Sequence, residues 1–185
     1  MGGLILLAIV GVAVLWGVSV FNGLVRRKNI VAEAWSGIEA QLKRRADLIP
    51  NLVETVKGYA AHERGTFDQL AQLRSAGQAQ TGVSERAQTE AAIGAAIGRV
   101  LAVAEAYPDL KASANFQSLQ NELADTEDQI QLARRYYNGA VRDYNVMIEQ
   151  FPSNLVANLG TFKPAPFFEI DNASDRQTPQ VALPA

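Results

Sequence analysis

The chain has no cysteine and a single histidine, His62, among its 185 residues. Without cysteine there is no disulfide framework, no zinc–thiolate site and no residue for a lipoprotein anchor. No glycine-rich phosphate loop follows a strand-like segment, so the parts of hydrolase triads, zinc centres and nucleotide sites are missing. We therefore expect a protein that is not an enzyme and that uses no metal or cofactor.

The chain also lacks an excess of charge of one sign, since 17 Lys+Arg residues stand against 19 Asp+Glu residues. Nucleic-acid-binding proteins normally show a clustered basic excess, so we expect no nucleic-acid partner. One acidic cluster remains, at Glu122, Asp125, Glu127 and Asp128. It could hold a hard cation, but the pattern is more typical of a solvated helix face. We likewise interpret His62 and Glu63 as a surface or capping pair.

No charge interrupts residues 4–25, which are mostly apolar. A helix of about 22 residues would span roughly 33 Å, enough for a hydrocarbon core of roughly 30 Å. A cleaved signal peptide is the alternative, with a trace of a cleavage site at Gly17-Val18-Ser19. A retained anchor is preferred because the run exceeds the usual apolar region of about 7–15 residues and no basic side chain precedes it. Arg26, Arg27 and Lys28 follow the run and predict a cytoplasmic domain.

Beyond the anchor, helical periodicity is present almost throughout. Across residues 116–151, apolar or small side chains recur at alternating spacings of three and four, which is typical of a heptad seam. The seam consists of Phe116, Leu119, Leu123, Thr126, Ile130, Ala133, Tyr137, Ala140, Tyr144, Met147 and Phe151. We expect Leu123 and Ile130 in a bundle core and Asp125 and Asp128 in solvent.

A second pattern begins directly after the apolar run and keeps one helical phase. Its members are Val31, Trp35, Ile38, Leu42, Ile49, Leu52, Val56 and Tyr59. No linker separates it from the anchor, so one long helix is expected to leave the bilayer. Pro50 lacks an amide hydrogen, so the helix either kinks or turns back there, and the preserved phase slightly favours a kink. The pattern continues through Phe67, Leu70 and Leu73 and fails in a loop at 75–84.

Two pairs of small residues are spaced by four. Gly94 and Gly98 lie in a predicted helix at 85–107, and Ala13 and Gly17 lie in the membrane run. A helical glycine loses roughly 1 kcal/mol relative to alanine, which predicts a closely approaching neighbour. For Gly94 and Gly98 the plainer explanation is tight packing within the chain, and the alternative is a contact between protomers. In the membrane, small residues permit close helix association.

Arg45 occupies a seam position of the second pattern, where a buried charge needs a partner. An acidic residue of another helix, such as Glu122, Asp125 or Asp128, is the expected partner. The alternative is that Arg44 and Arg45 bind an anionic ligand or partner.

Several blocks of this sequence resemble the LemA family. They are Asn29-Ile30-Val31-Ala32-Glu33-Ala34-Trp35-Ser36-Gly37-Ile38, Asp47-Leu48-Ile49-Pro50-Asn51-Leu52, Tyr107-Pro108-Asp109-Leu110, Arg134-Arg135-Tyr136-Tyr137-Asn138 and Phe151-Pro152-Ser153-Asn154. The resemblance implies one N-terminal transmembrane helix and an antiparallel four-helix bundle in a bacterial membrane protein, and it implies little about biochemical role. Four helices at 26–48, 51–76, 84–107 and 110–150 are obtained only if the chain divides at Pro50.

The sequence thus predicts an all-α protein: a transmembrane helix at 1–25 continuing into an antiparallel bundle of long helices at 26–151. An extended segment packed on the bundle is predicted at 152–170 and a flexible tail at 171–185. The preferred function is a self-associating scaffold or adaptor at the bacterial inner membrane, with membrane lipid and further copies of the chain as partners. The alternative is an accessory subunit of another membrane system, such as a protease or transporter.

Overall fold

A computed structural model describes residues 1–60 and 62–169. Within these ranges the chain forms helices and no strand, which confirms the predicted all-α class. The helices are α1 (Gly2–Lys57), α2 (Arg64–Ala79), α3 (Val83–Ala104), α4 (Pro108–Lys111), α5 (Ala114–Glu149) and α6 (Ser153–Leu159). The predicted tail at 171–185 lies outside the described residues.

The membrane run and the second helical pattern form the single helix α1, which passes through Pro50 without a turn. Proline at this position frees the carbonyl of Ala46, four residues earlier. The Nε of Arg74, on α2, donates a hydrogen bond of 2.7 Å to that carbonyl oxygen. A neighbouring helix therefore supplies the donor that Pro50 lacks, and α1 continues for two further turns.

This arrangement gives the first prediction. Arg74→Ala should lower the free energy of unfolding by about 1–3 kcal/mol, because it leaves the Ala46 carbonyl without its donor. The loss should be much smaller in a Pro50→Ala background, where the backbone regains an amide that can bond to Ala46. Urea unfolding of the detergent-solubilised chain, followed by helicity, measures both values, and equal losses in the two backgrounds would refute the compensation.

The first reversal of the chain lies between α1 and α2, so the chain does not turn back at Pro50 and the alternative of separate helices at 26–48 and 51–76 is excluded. Tyr59, which was predicted to continue the α1 seam, lies in this turn and is about half exposed. Glu63 directly precedes α2 and makes no side-chain capping bond.

The chain divides into two compact units, and α1 and α5 contribute to both. The unit containing Ala40–Gln131 holds four helical segments: the last part of α1, then α2, α3 and the first part of α5. Short connections between successive helices make neighbours antiparallel. Apolar residues of all four segments form one core, including Leu52, Leu70, Ile97 and Leu119. This unit is the predicted four-helix bundle.

The other unit combines Met1–Glu39 with Leu132–Phe167. Its small core contains Leu24, Tyr144, Ile148 and Ala157. The predicted seam fails at its end, since Phe151 is 74% exposed. Because α5 ends at Glu149, Phe151 has left the helical phase, and Ile148 is buried instead.

The stretch after α5 was predicted to be extended, but its first part is helix α6. Residues 160–169 form no helix or strand and are attached to α5 by side-chain bonds. The amide of Asn145 pairs with both backbone groups of Ala165, at 2.9 Å each. The hydroxyl of Tyr137 donates to the Pro166 carbonyl at 2.8 Å, and burial raises the pKa of Tyr137, which keeps that donor protonated.

Candidate functional site

The four-helix unit contains a buried cluster of charged side chains centred on Arg45. Arg45 is 3% exposed, and its Nη2 atom donates to a Glu90 carboxylate oxygen at 2.6 Å and to the Glu90 backbone carbonyl at 3.0 Å. Its Nη1 atom donates to Glu127 at 2.6 Å. The other carboxylate oxygen of Glu90 lies 2.7 Å from the Nε of Arg86. Two cations and two anions thus balance one another in the bundle.

Three helices contribute the charged side chains of the cluster. Arg45 comes from α1, Glu90 from α3 and Glu127 from α5, so the cluster joins three helices. On α2, Gly77 allows close approach: a Cβ there would lie 3.3 Å from a carboxylate oxygen of Glu90. The guanidinium of Arg86 also donates to the carbonyl of Gly77. Helix α2 therefore also contacts the cluster.

The partners of Arg45 differ from those expected. Glu122, Asp125 and Asp128 are exposed, while Glu90 and the partly exposed Glu127 bind the guanidinium. Sequence reasoning missed Glu90, although a signal was present. Glu90 continues the α3 seam formed by Ala87, Ile93, Ile97, Val100 and Ala104, so its burial could have been expected.

Beside this cluster lies an open, mainly apolar groove between α3 and α5, with a volume of about 410 Å³. We call it the glycine groove. Its lining residues are Arg45, Gly94, Ile97, Gly98, Leu101, Gln120, Leu123, Ala124 and Glu127.

Among the described residues, nothing packs against either glycine of this groove closely enough to require a glycine there. A Cβ added at Gly98 would meet no described atom within 4 Å, and one at Gly94 would meet only Arg45 Nη1, at 3.8 Å. Tight packing within the chain was the plainer expectation for these two glycines. The described residues do not provide it, and the groove beside the glycines is open. In the membrane run, a Cβ at Gly17 would likewise meet nothing, and Ala13 is exposed.

The chemistry of the groove favours an apolar occupant over an anion. Both Nη atoms of Arg45 already bind carboxylates, and Arg44 is exposed outside the groove lining. A ligand anion at either Nη atom would have to displace Glu90 or Glu127, which would leave a carboxylate without its partner. In the described part of the chain, no group of three or more His, Cys, Asp or Glu side chains is arranged to hold a metal ion.

Outside the bundle, α1 begins with a stretch that is long and apolar enough to cross a membrane. Its most hydrophobic 18-residue window has a mean hydropathy of 2.7 and none of it is buried. Exposed side chains such as Leu4, Leu7, Val14 and Leu15 need an apolar surrounding, which a bilayer provides. The four-helix unit and its groove are therefore attached to a membrane anchor.

The chain is similar to known proteins whose names do not specify a biochemical activity. Magnetosome proteins MamQ 2 and MamQ 1 of Paramagnetospirillum magneticum are each 28% identical over 174 residues, covering 79% of this chain and 64% of theirs. Protein LemA of Metamycoplasma hominis is 30% identical over 137 residues, covering 74% of this chain and 63% of its own. The chain thus spans less than two thirds of the length of these relatives.

A match to a family model agrees with the resemblance to the LemA family noted in the sequence. The LemA family matches residues 34–183, which include the last part of α1, the whole bundle and α6. Together with the membrane-anchored helical fold, this match shows that the chain belongs to the LemA family.

Proposed function

We propose that this protein is a self-associating scaffold at the bacterial inner membrane, in which copies meet through the glycine groove. The observation that carries the proposal is the open space above Gly98, where an added Cβ would meet no atom of the described residues within 4 Å. A glycine here lowers helix propensity by roughly 1 kcal/mol relative to alanine. A partner that packs against the bare backbone would offset that loss.

The membrane anchor makes such a contact favourable even when it is weak. Anchored copies share one plane and one orientation, so their effective concentration is raised. Ala13 and Gly17 offer a second contact in the bilayer, where small residues let helices approach closely. Among the described residues, a Cβ at Gly17 or at Gly98 would meet no atom within 4 Å, so both positions are open to a partner.

The groove composition fits a protein surface. Ile97, Leu101 and Leu123 provide apolar area, and the adjoining charges neutralise each other. A polar rim of Gln120 and Glu127 offers hydrogen bonds that set the register of a partner.

The test is Gly98→Leu compared with Gly37→Leu. Both glycines are exposed in long helices, and a Cβ at either would meet nothing within 4 Å, so both variants should fold with wild-type helicity. Only Gly98→Leu fills the groove. We expect it to weaken assembly at least about tenfold, equivalent to about 1.4 kcal/mol, while Gly37→Leu assembles as wild type.

Particle mass in a mild detergent and in nanodiscs measures this difference. A wild-type protein that is monomeric in both would refute self-association. Purification of one different protein at fixed ratio, lost in Gly98→Leu, would show instead that the groove serves an accessory subunit of another membrane system.

The proposed orientation places the bundle in the cytoplasm, since Arg26, Arg27 and Lys28 follow the apolar run. The protein should stay in the membrane fraction after carbonate extraction. Protease added to intact spheroplasts should leave the bundle uncut and should digest it after lysis. Digestion of the bundle before lysis would show that the bundle lies outside the cytoplasm, opposite to the proposed orientation.

A further inference from the structure

Helix α6 lies at the level where α1 leaves its apolar run. Ala157 packs in one core with Leu24, and Val156 and Phe162 border the same core. The rings of Phe21 and Phe162 meet edge to face, with centroids 5.4 Å apart. These contacts place α6 and the following turn beside residues 21–24 of α1.

Residues 21–24 correspond to a membrane–water boundary. About 20 helical residues cover a hydrocarbon core of roughly 30 Å, so an anchor that begins near residue 2 reaches the interface near Phe21. The first charges of the helix, Arg26 and Arg27, follow within about two turns. Trp16 and Phe21 supply the exposed aromatic rings that membrane helices commonly carry near the interface.

The outer face of this region is apolar and unusually exposed. Leu155 is 54% exposed and Leu159 is 87% exposed, and with a spacing of four they share one face of α6, opposite the buried Ala157. Phe151, just before α6, is 74% exposed. No charged residue occurs at 150–162. In water, these three large side chains would leave a substantial apolar surface without a partner.

We propose that α6 and its flanks bind the lipid bilayer itself, with Phe151, Leu155 and Leu159 inserted at the headgroup–acyl boundary around α1. Lipid surrounds α1 at the membrane–water boundary. An apolar face that points away from α1 there contacts lipid unless another protein covers it. Lys163 follows the uncharged stretch, and Arg26 and Lys28 are exposed on α1. These cations suit the phosphate groups of the interface, while the leucines suit the acyl chains below them.

The consequence is a second attachment to the membrane. The spanning helix alone attaches only α1 to the bilayer. Insertion of α6 also holds the C-terminal end of α5 at the bilayer, because the hydroxyl of Ser153 at the start of α6 donates a hydrogen bond of 2.8 Å to the Met147 carbonyl of α5. This inference does not depend on self-association.

The experiment uses the full chain, which has no cysteine of its own, so one introduced thiol carries a unique label. An environment-sensitive fluorophore is attached to Leu159→Cys, with Leu132→Cys as the matched control. Leu132 is a 50% exposed leucine of α5, about 25 Å from the C-terminal end of that helix, which lies next to α6. Each protein is placed at one copy per nanodisc, which removes contacts between copies.

We expect the label at position 159 to be quenched by lipids brominated on the acyl chain and protected from aqueous iodide, with a blue-shifted emission. The label at position 132 should show the reverse. Equal iodide quenching at both positions would overturn the proposal, and so would protection of position 159 from both quenchers. Wild-type helicity of both labelled proteins ensures that the comparison concerns location and not unfolding.

Discussion

Replacing Arg45 with alanine is expected to lower the free energy of unfolding by about 3–5 kcal/mol. The side chain is 3% exposed and binds carboxylates from two other helices, each at 2.6 Å. Its loss leaves Glu90 buried with only Arg86 beside it and removes the link between α1 and α5 at this point. Chemical unfolding of the detergent-solubilised chain, followed by helicity, measures the change.

The neighbouring residue provides the control. Arg44 is exposed, and Arg44→Ala should change the free energy of unfolding by no more than about 0.5 kcal/mol. Equal stability of Arg45→Ala and Arg44→Ala would show that the buried cluster does not stabilise the bundle.

Replacing Leu123 or Ile130 with alanine should each cost about 2–5 kcal/mol, because both side chains fill the core. Leu123 is 5% exposed and Ile130 is fully buried. Asp125→Ala and Asp128→Ala, on the exposed side of the same helix, should stay within about 0.5 kcal/mol. Thermal melts of the four variants give the ranking, and a larger loss for either aspartate variant would contradict the assigned faces of α5.

Periodicity alone predicted the core faces of the long helices. Leu123, Thr126, Ile130 and Tyr137 are buried as their spacing required, because every turn of a packed helix returns the same face to the core. The all-α class and the continuous helix leaving the anchor follow from the same signal. These features depend on local pattern, which a sequence displays directly.

Features that depend on a contact with a residue elsewhere in the chain could not be predicted from hydrophobic periodicity. The preserved phase favoured a kink over a turn at Pro50, but the pattern does not show that Arg74, on another helix, supplies a donor for the freed carbonyl. The reversal between α1 and α2 has helical phase on both sides, so periodicity passes over it. Helix α6 is too short, at 7 residues, to display a period.

The candidate site could be predicted from the sequence only in part, for the same reason. The position of Arg45 in a seam predicts that it needs an acidic partner, but spacing on one helix does not identify which residue of another helix meets it. Gly94 and Gly98 indicate close approach, yet whether a neighbour fills the space is a property of the folded bundle. The structure leaves that space open at Gly98.

Disulfide formation between copies tests most directly whether the glycine groove is where they meet. The chain has no native cysteine, so Gly98→Cys and the control Gly37→Cys each carry one thiol, and a bridge requires Cα atoms within about 7 Å. In isolated native membranes treated with a mild oxidant, Gly98→Cys should form a covalent homodimer that reductant dissolves, while Gly37→Cys stays monomeric. A Gly98→Cys protein that forms no more dimer than Gly37→Cys would contradict self-association through the groove.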